Sequence, residues 1–501
     1  LSGTDFFPNA SKQIGQAPTE DFTPVFEQCG WKVIRTRSSV APERTHAIEE
    51  QAGLNLNLGA IRNSSNIPSN AVLRICQTNV METVDVKTNL SVLSELEDAY
   101  SKCLDGEETP ASEFIRSMIR REYERDLEDE KLLAIYLKLC GNNRHMGAVR
   151  LEDRDIKPIC TALLLKPCIT MLDLRYNRIK DEGAAIIASF LTDDRLLQEL
   201  NLVGNDITEI GAACIATALR TNNVLLVLKM TGNPIGSTGG LRLAQALQVN
   251  RTLEFIDLGE CDQTITSCIA FATMLHQNKT IKSLNLNRQL LWTLQEEPTV
   301  HIAEMLCINN TLRELHLSKV DMRDFGAKRL ADALERNHML ELLDISANRV
   351  ARDGAIALSR VVMANCSLVI LDLAFNRIQC AGAKALATAL ITNTRLKVLA
   401  VQFCELRGPG LCALAESLVT NSTLTNIYIW GNEHDESTCI AYSNLLETGR
   451  LVPECTDVRP YVVDGRVYLA LLDHDNTYRL YRFSVPWWKG FAPKDRSVAL
   501  F

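Results

Sequence analysis

The strongest constraint on this chain is a phrase that returns every 28 residues. Ile169-Thr-Met-Leu172-Asp-Leu174-Arg-Tyr-Asn177-Arg-Ile179 is followed by Leu197-Gln-Glu-Leu200-Asn-Leu202-Val-Gly-Asn205-Asp-Ile207, and again by Leu368-Val-Ile-Leu371-Asp-Leu373-Ala-Phe-Asn376-Arg-Ile378. The pattern is LxxLxLxxN, then one residue, then an aliphatic one. Its middle position reads Leu172, Leu200, Leu228, Ile256, Leu284, Leu315, Leu343, Leu371, Leu399 and Ile427. The step is 28 throughout except for 31 between Leu284 and Leu315. A fixed period of this length marks stacked units that share one continuous core, a solenoid.

The two halves of each unit have different periodicities. The LxL segment alternates and suits a strand. The asparagine that follows can bond backbone groups where the chain leaves the sheet, and stacking lines such asparagines into a ladder. The second half, as in Gly211-Ala-Ala-Cys-Ile-Ala-Thr-Ala-Leu219 and Gly382-Ala-Lys-Ala-Leu-Ala-Thr-Ala-Leu390, spaces apolar residues by three and four and so predicts an amphipathic helix. Parallel strands stack ~4.8 Å apart, whereas helices need ~8–10 Å, so the sheet must line the inside of a curve. The expected fold is α/β, a horseshoe with parallel strands on the concave face and helices on the convex face.

The 28-residue period with its Gly-x-x-x-Leu-Ala-x-x-Leu helix resembles the ribonuclease-inhibitor type of leucine-rich repeat, over residues 149–447. That resemblance implies a short opening repeat near Val149, ten full repeats and a protein-binding concave surface. Repeats four to six depart from the pattern. Their ladder position reads Cys261, Gln289 and Val320, and the extra residues fall near Leu290–Pro298. An irregular or wider turn is expected there, midway along the solenoid.

Outside the repeats the sequence changes character. Residues 1–110 are rich in Ser, Thr, Asn and Pro, with Phe6, Phe7 and Trp31 in short apolar clusters, and predict a polar, largely extended arm with one short helix over Ser91–Tyr100. Residues 111–148 read as a helical N-terminal cap, which the first unit of a solenoid requires. In residues 448–501, Asp464-Gly465 between two apolar runs predicts a β-hairpin. Thr477–Phe483 could add a third strand, and Trp487 and Trp488 follow as aromatic anchors.

Composition narrows the function. The net charge of −8 argues against a general nucleic-acid binder, and no direct nucleic-acid contact is expected. The 16 cysteines are scattered without a CxxC pair, which fits small thiols in a reducing compartment. The first residues lack a basic stretch followed by an apolar run, so no signal peptide is expected, and no apolar run reaches the ~20 residues of a membrane span. There is no Gly-Lys dipeptide and hence no P-loop, no HExxH, no GxSxG and no His/Cys cluster at ligand spacing. The reading is of a non-enzymatic scaffold with no cofactor and no metal, bound to other proteins in a multi-subunit complex. A ciliary axoneme is the expected setting of a cytoplasmic protein of this kind, with a nuclear or nucleolar adaptor as the alternative. Ran GTPase-activating proteins are built from the same repeat type. They continue into an acidic segment, whereas this chain continues into a stretch with Arg459, Arg466, Arg479 and Arg482.

The candidate binding residues are those expected to line the concave face. The first part of the face supplies Arg175, Tyr176, Lys229 and Asp257, and the middle supplies His316, Asp344 and Asp372. The last three repeats bring Phe375, Phe403, Tyr428 and Trp430, expected to form one aromatic patch. Either a partner or the chain's own tail could cover that patch.

Overall fold

The computed structural model describes residues 86–104, 109–128, 136–142, 149–289, 296–364 and 367–472. Phe6, Phe7, Trp31, Thr477–Phe483, Trp487 and Trp488 lie outside the described residues.

Eleven short strands form one parallel sheet in strict sequence order. They are β1 Tyr136–Lys138, β2 Met171–Asp173, β3 Glu199–Asn201, β4 Val227–Lys229, β5 Phe255–Asp257, β6 Ser283–Asn285, β7 Glu314–His316, β8 Leu342–Asp344, β9 Ile370–Asp372, β10 Val398–Ala400 and β11 Asn426–Tyr428. The repeated leucine is the register mark: Leu172 pairs with Leu200, Leu284 with Leu315, and Leu371 with Leu399. These leucines are buried, and each is worth roughly 1.5–3 kcal/mol relative to an exposed one. A helix follows every described strand of this sheet and packs beside the next, so the solenoid architecture expected from the period is the observed one.

The first repeat corrects the sequence reading. Tyr136–Lys138 is a strand, not part of a helical cap, and Leu137 pairs with Leu172. Leu137 and Leu172 are 35 residues apart, seven more than the period, because extra residues separate this strand from Leu151. Leu151 takes the post-strand aliphatic place, with its N–H donated to Asn177 Oδ1 at 2.9 Å. The helix Asp153–Leu165 has 13 residues, as many as Asp181–Asp193, so the opening repeat is lengthened rather than shortened.

The N-terminal cap is built from two helices, Val86–Cys103 and Pro110–Glu128. The first is longer than the expected Ser91–Tyr100 and packs on both Pro110–Glu128 and Asp153–Leu165, so this part of the expected extended arm is an ordered element. Leu93, Leu96, Tyr100, Phe114, Ile115 and Ile119 are buried there. Glu122, also buried, accepts the N–H of Tyr136 at 2.9 Å and so caps the open edge of β1.

Two asparagine ladders bind repeat to repeat. In the first, Asn205 Nδ2 donates to Leu174 O of the preceding repeat and to Leu202 O of its own, both at 3.0 Å, while Oδ1 accepts the N–H of Ile179 at 3.1 Å. Asn177, Asn233, Asn348, Asn376 and Asn432 do the same. Cys261 and Cys404 keep one bond, from Sγ to the preceding repeat's carbonyl. Gln289 also keeps the ladder, with Nε2 donating to Leu258 O at 2.6 Å and Oε1 accepting from Gln263 N at 3.0 Å. Its longer side chain replaces the asparagine where an interruption was expected. At Val320 the side-chain rung is lost, yet pairing from β6 through β8 keeps its register. The sheet is therefore regular midway; the insertion itself, residues 290–295, lies outside the described residues.

The second ladder runs along the ends of the helices. Asn250 Nδ2 donates to Leu219 O and Asn222 O, at 2.8 and 3.1 Å, and its Oδ1 accepts from Leu253 N at 2.8 Å. Asn222, Asn278, Asn309, Asn337, Asn393 and Asn421 occupy the equivalent place. The N-x-T sequons that recur at one position of the repeat are thus buried structural asparagines. After the last repeat the Arg450 guanidinium takes over, donating to Leu418 O and Leu424 O at 2.7 and 2.9 Å.

The C-terminal hairpin pairs β12 Val458–Val463 with β13 Arg466–Leu471. Asp464 and Gly465 both have positive φ, the I′ turn that the Asp-Gly pair predicts. The hairpin packs on the helix Glu436–Glu447.

Candidate functional site

The concave face is lined by the outer residues of each strand and the position two beyond it. The structure adds a column that the sequence reading left out, the residue before each middle leucine. Met171, Glu199, Phe255, Glu314, Leu342 and Ile370 stand there.

The acidic residues of this face do a structural job first. Asp173, Asp257, Asp344 and Asp372 each accept the N–H of the residue two further on, at 3.1, 3.2, 3.0 and 2.9 Å. Asn201 and Asn285 make the same bond. The short side chain tidies the end of the strand, and either an amide or a carboxylate serves. The carboxylates differ from the amides in the charge they leave on the face.

That charge is distributed unevenly. In the first half of the sheet, acids and bases neutralise one another. Arg175 Nε lies 3.2 Å from Asp173 and also faces Cys140 Sγ, and Lys229 Nζ lies 2.6 Å from Glu199. In the second half, β7 to β9 bring Glu314, Asp344 and Asp372 to the face with no lysine or arginine in the same columns. His316 stands among them, fully buried, with Nδ1 3.5 Å from Asp344 and Nε2 3.9 Å from Glu314. Burial alone would lower its pKa, but the two neighbouring carboxylates outweigh that and the net shift is upward. Leu342, Ile370, Ala374, Val398 and Ala400 supply the apolar surface between the acids.

The four aromatics expected in one patch are separated by the structure. Tyr428 is buried against Ala374 and Ala400, with its hydroxyl accepting from Asn426 Nδ2 at 3.1 Å. Trp430 is half-buried and packs near His434, with ring centroids 5.8 Å apart. Phe375 and Phe403 come together elsewhere, on the rim where the chain leaves the strands. Their rings stack 4.8 Å apart and within 9° of parallel, and they are 45% and 46% exposed. Both have positive φ, as do Tyr176, Gly204, Gly232, Glu260, Arg288, Lys319, Ala347 and Gly431 at the same register position. The rim is therefore a left-handed column, and the glycines recurring in it were the available sequence signal. Glycine also leaves room for a neighbour: the Tyr176 ring lies where a Cβ on Gly204 would sit, and the Phe403 ring does the same at Gly431.

No group of three or more His, Cys, Asp or Glu suited to a metal ion occurs among the described residues. No described helix is long and apolar enough to cross a membrane. Among the described residues no cysteine forms a disulfide; six of the cysteines are buried and Cys307 is exposed.

Comparison with known proteins agrees with the geometry. The family described as Leucine Rich repeat matches residues 166–188, 194–216, 221–244, 336–359 and 364–387. Leucine-rich repeat-containing protein 34 of Rattus norvegicus is 52% identical over 379 residues, 75% of this chain and 91% of that protein. The Mus musculus protein of the same name is 46% identical over 38% of this chain and 46% of its own length. The Homo sapiens protein is 52% identical over 38% of this chain and 41% of its own length. Among solved structures, the crystal structure of the Rad7 and Elc1 complex in yeast is similar at 14% identity and a TM-score of 0.41, over 69% of this chain and 88% of that one. On the strength of the rat protein, aligned over nearly its whole length, the chain belongs to the leucine-rich repeat-containing protein 34 family.

Proposed function

We propose that this chain is a non-catalytic protein-binding scaffold that seats its partner on the C-terminal half of the crescent. The observation that carries the reading is the exposed Phe375–Phe403 stack beside the acidic, apolar strip of β7 to β11. Two stacked rings held by left-handed backbone present a rigid apolar edge at little entropic cost, which is what an interface anchor requires. The neighbouring carboxylates favour a basic partner segment. The scattered cysteines support a reducing compartment, and a continuous repeat sheet suits a large assembly, with the ciliary axoneme as the leading setting.

The test is affinity purification of the wild type and of Phe375→Ser with Phe403→Ser, from ciliated and non-ciliated cells. Loss of axonemal proteins from the variant's eluate, with an unchanged melting temperature, is the expected result. Equal recovery would remove the rim from the interface, and recovery of nuclear or nucleolar proteins alone would move the assembly there. Stimulation of GTP hydrolysis by Ran in the presence of the pure chain would replace the scaffold reading with that of a GTPase activator.

A further inference from the structure

The C-terminal hairpin has a solvent face whose chemistry the repeats do not share. Cross-strand pairs place their side chains on a common face. Val458, Pro460 and Val462 of β12 share one face with Leu471, Leu469 and Val467 of β13. Val458 and Leu469 are buried, so this is the face packed on the solenoid. Arg459, Tyr461 and Val463 share the other face with Ala470, Tyr468 and Arg466. All of these except Ala470 are exposed.

The solvent face of a hairpin is ordinarily polar, with charges of both signs. This one is centred on tyrosines and carries two arginines with no carboxylate; the one acid of residues 458–471 is Asp464, in the turn. Tyr461 and Tyr468 stack with ring centroids 5.6 Å apart, which ties the strands together and accounts for the rings. It does not account for the arginines. Among the described residues, neither has an ion pair or a side-chain hydrogen bond. Arg349, Arg377 and Arg407, on the rim of the repeats, are each paired with a carboxylate, at 2.7, 3.5 and 3.0 Å. Arg466 lies opposite Val463, four residues on from Arg459. The two guanidiniums therefore flank the tyrosine pair from different strands, roughly 14 Å apart along the hairpin.

The hairpin offers this face rather than an edge. Pro460 of β12 has no N–H to give a further strand, and the Leu469 N–H of β13 bonds to Cys439 of the last helix. A second copy docking by the same face would set arginine against arginine with no acid between them. Nucleic acid would meet a chain of net charge −8, and the two rings already give one face to each other, which leaves less surface for bases to stack on. A short acidic protein segment meets neither obstacle. Extended, it presents same-side residues ~6.8 Å apart, so carboxylates four residues apart match the two guanidiniums and the residue midway rests on the tyrosines.

We propose that this face of the hairpin binds an extended acidic segment of a partner protein, with carboxylates four residues apart on Arg459 and Arg466 and an apolar residue midway on the Tyr461–Tyr468 pair. It is a second contact, opposite in charge preference to the one beside Phe375 and Phe403, and it does not rest on that one.

The test is fluorescence anisotropy of the full chain with a labelled peptide that carries two glutamates four residues apart and a leucine midway. A control peptide of the same composition sets the glutamates side by side. The matched peptide should bind several-fold tighter than the control. Arg459→Ser with Arg466→Ser should weaken its binding about tenfold at unchanged melting temperature, because both side chains are exposed and unpaired. Arg459→Glu with Arg466→Glu should instead capture the same peptide with lysines in place of the glutamates, a reversal that a structural role for the arginines would not produce. Equal binding of the two peptides, or equal binding by wild type and serine variant, overturns the proposal. So does tighter binding of oligouridine than of the matched peptide, which gives the face to nucleic acid. Self-association of the wild type that the serine variant abolishes overturns it in favour of a second copy of the chain. None of these outcomes bears on Phe375→Ser with Phe403→Ser, so failure of this contact and failure of the rim contact are told apart.

Discussion

Asp457 accepts the backbone N–H of Ile429 at 2.8 Å, where in earlier repeats that amide bonds a carbonyl of the next strand. Val401, one repeat earlier, donates instead to Tyr428 O at 2.9 Å. One carboxylate thus does for the last strand what another strand would do, and it also receives Trp430 N at 3.1 Å and Gln402 at 2.9 Å. Asp457→Ala should cost about 3 kcal/mol, since buried donors lose their acceptor, and Asp457→Asn about half of that. Chemical denaturation of both variants checks the ranking; equal stability of wild type and Asp457→Ala would mean that the sheet edge is closed some other way.

Gln289 and Asn376 do the same work with side chains of different length. Asn376→Ala and Gln289→Ala should each destabilise by about 2–4 kcal/mol through unsatisfied backbone groups in two repeats. Thermal unfolding of the pair reads this directly. A Gln289→Ala variant that melts like the wild type would restore the reading of repeat five as an interruption.

Leu96 on the helix Val86–Cys103 is 1% exposed. Leu96→Ala should cost about 2–5 kcal/mol, as for other buried leucines, and expose the first repeat. Hydrogen exchange should then rise in Asp153–Leu165 before it rises in the last repeats. Unchanged exchange there would show that the helix is an ornament and not a cap.

His316 should make stability depend on pH in one direction. Its folded pKa lies above the usual ~6.5, so the folded state holds the proton more tightly than the unfolded chain does. The resulting stabilisation is complete below ~6.5 and fades as pH rises through the folded value. The groups facing the ring are Glu314 beside it and Asp344 on β8. Against His316→Gln, the wild type should lose relative stability as pH is raised from about 6 to about 9 in melting experiments. Parallel curves for the two proteins would mean that the imidazole stays neutral throughout.

The repeats were legible because every one restates the same leucine in the same register, and Leu172 to Ile427 could be counted off. Leu137 escaped the count because seven extra residues displace it, and its block Leu132–Leu139 looks helical in isolation. The rungs were legible where asparagine stands and misread at Gln289, since hydrogen-bonding ability matters there more than residue type. The aromatics were the least legible. Whether Tyr428 is open depends on Ala374 and Ala400 being small, a property of neighbouring repeats rather than of its own. That Phe375 meets Phe403 follows from a left-handed backbone, which only the glycines at Gly204, Gly232 and Gly431 hinted at.

The asparagine rungs also determine how the crescent would bear a load. Asn205 and Asn376 each reach back 31 residues to the repeat before, and these bonds lie in series along the stack. Tension applied between its two ends would strain the weakest rung first and leave the others intact. The chain should therefore lengthen in discrete steps, each releasing one repeat, or roughly 90 Å of contour. Val320, where the side-chain rung is lost, is where the first step should occur. In an assembly that bends, such a protein would yield and recover one repeat at a time, more like a ratcheted spring than a rigid strut.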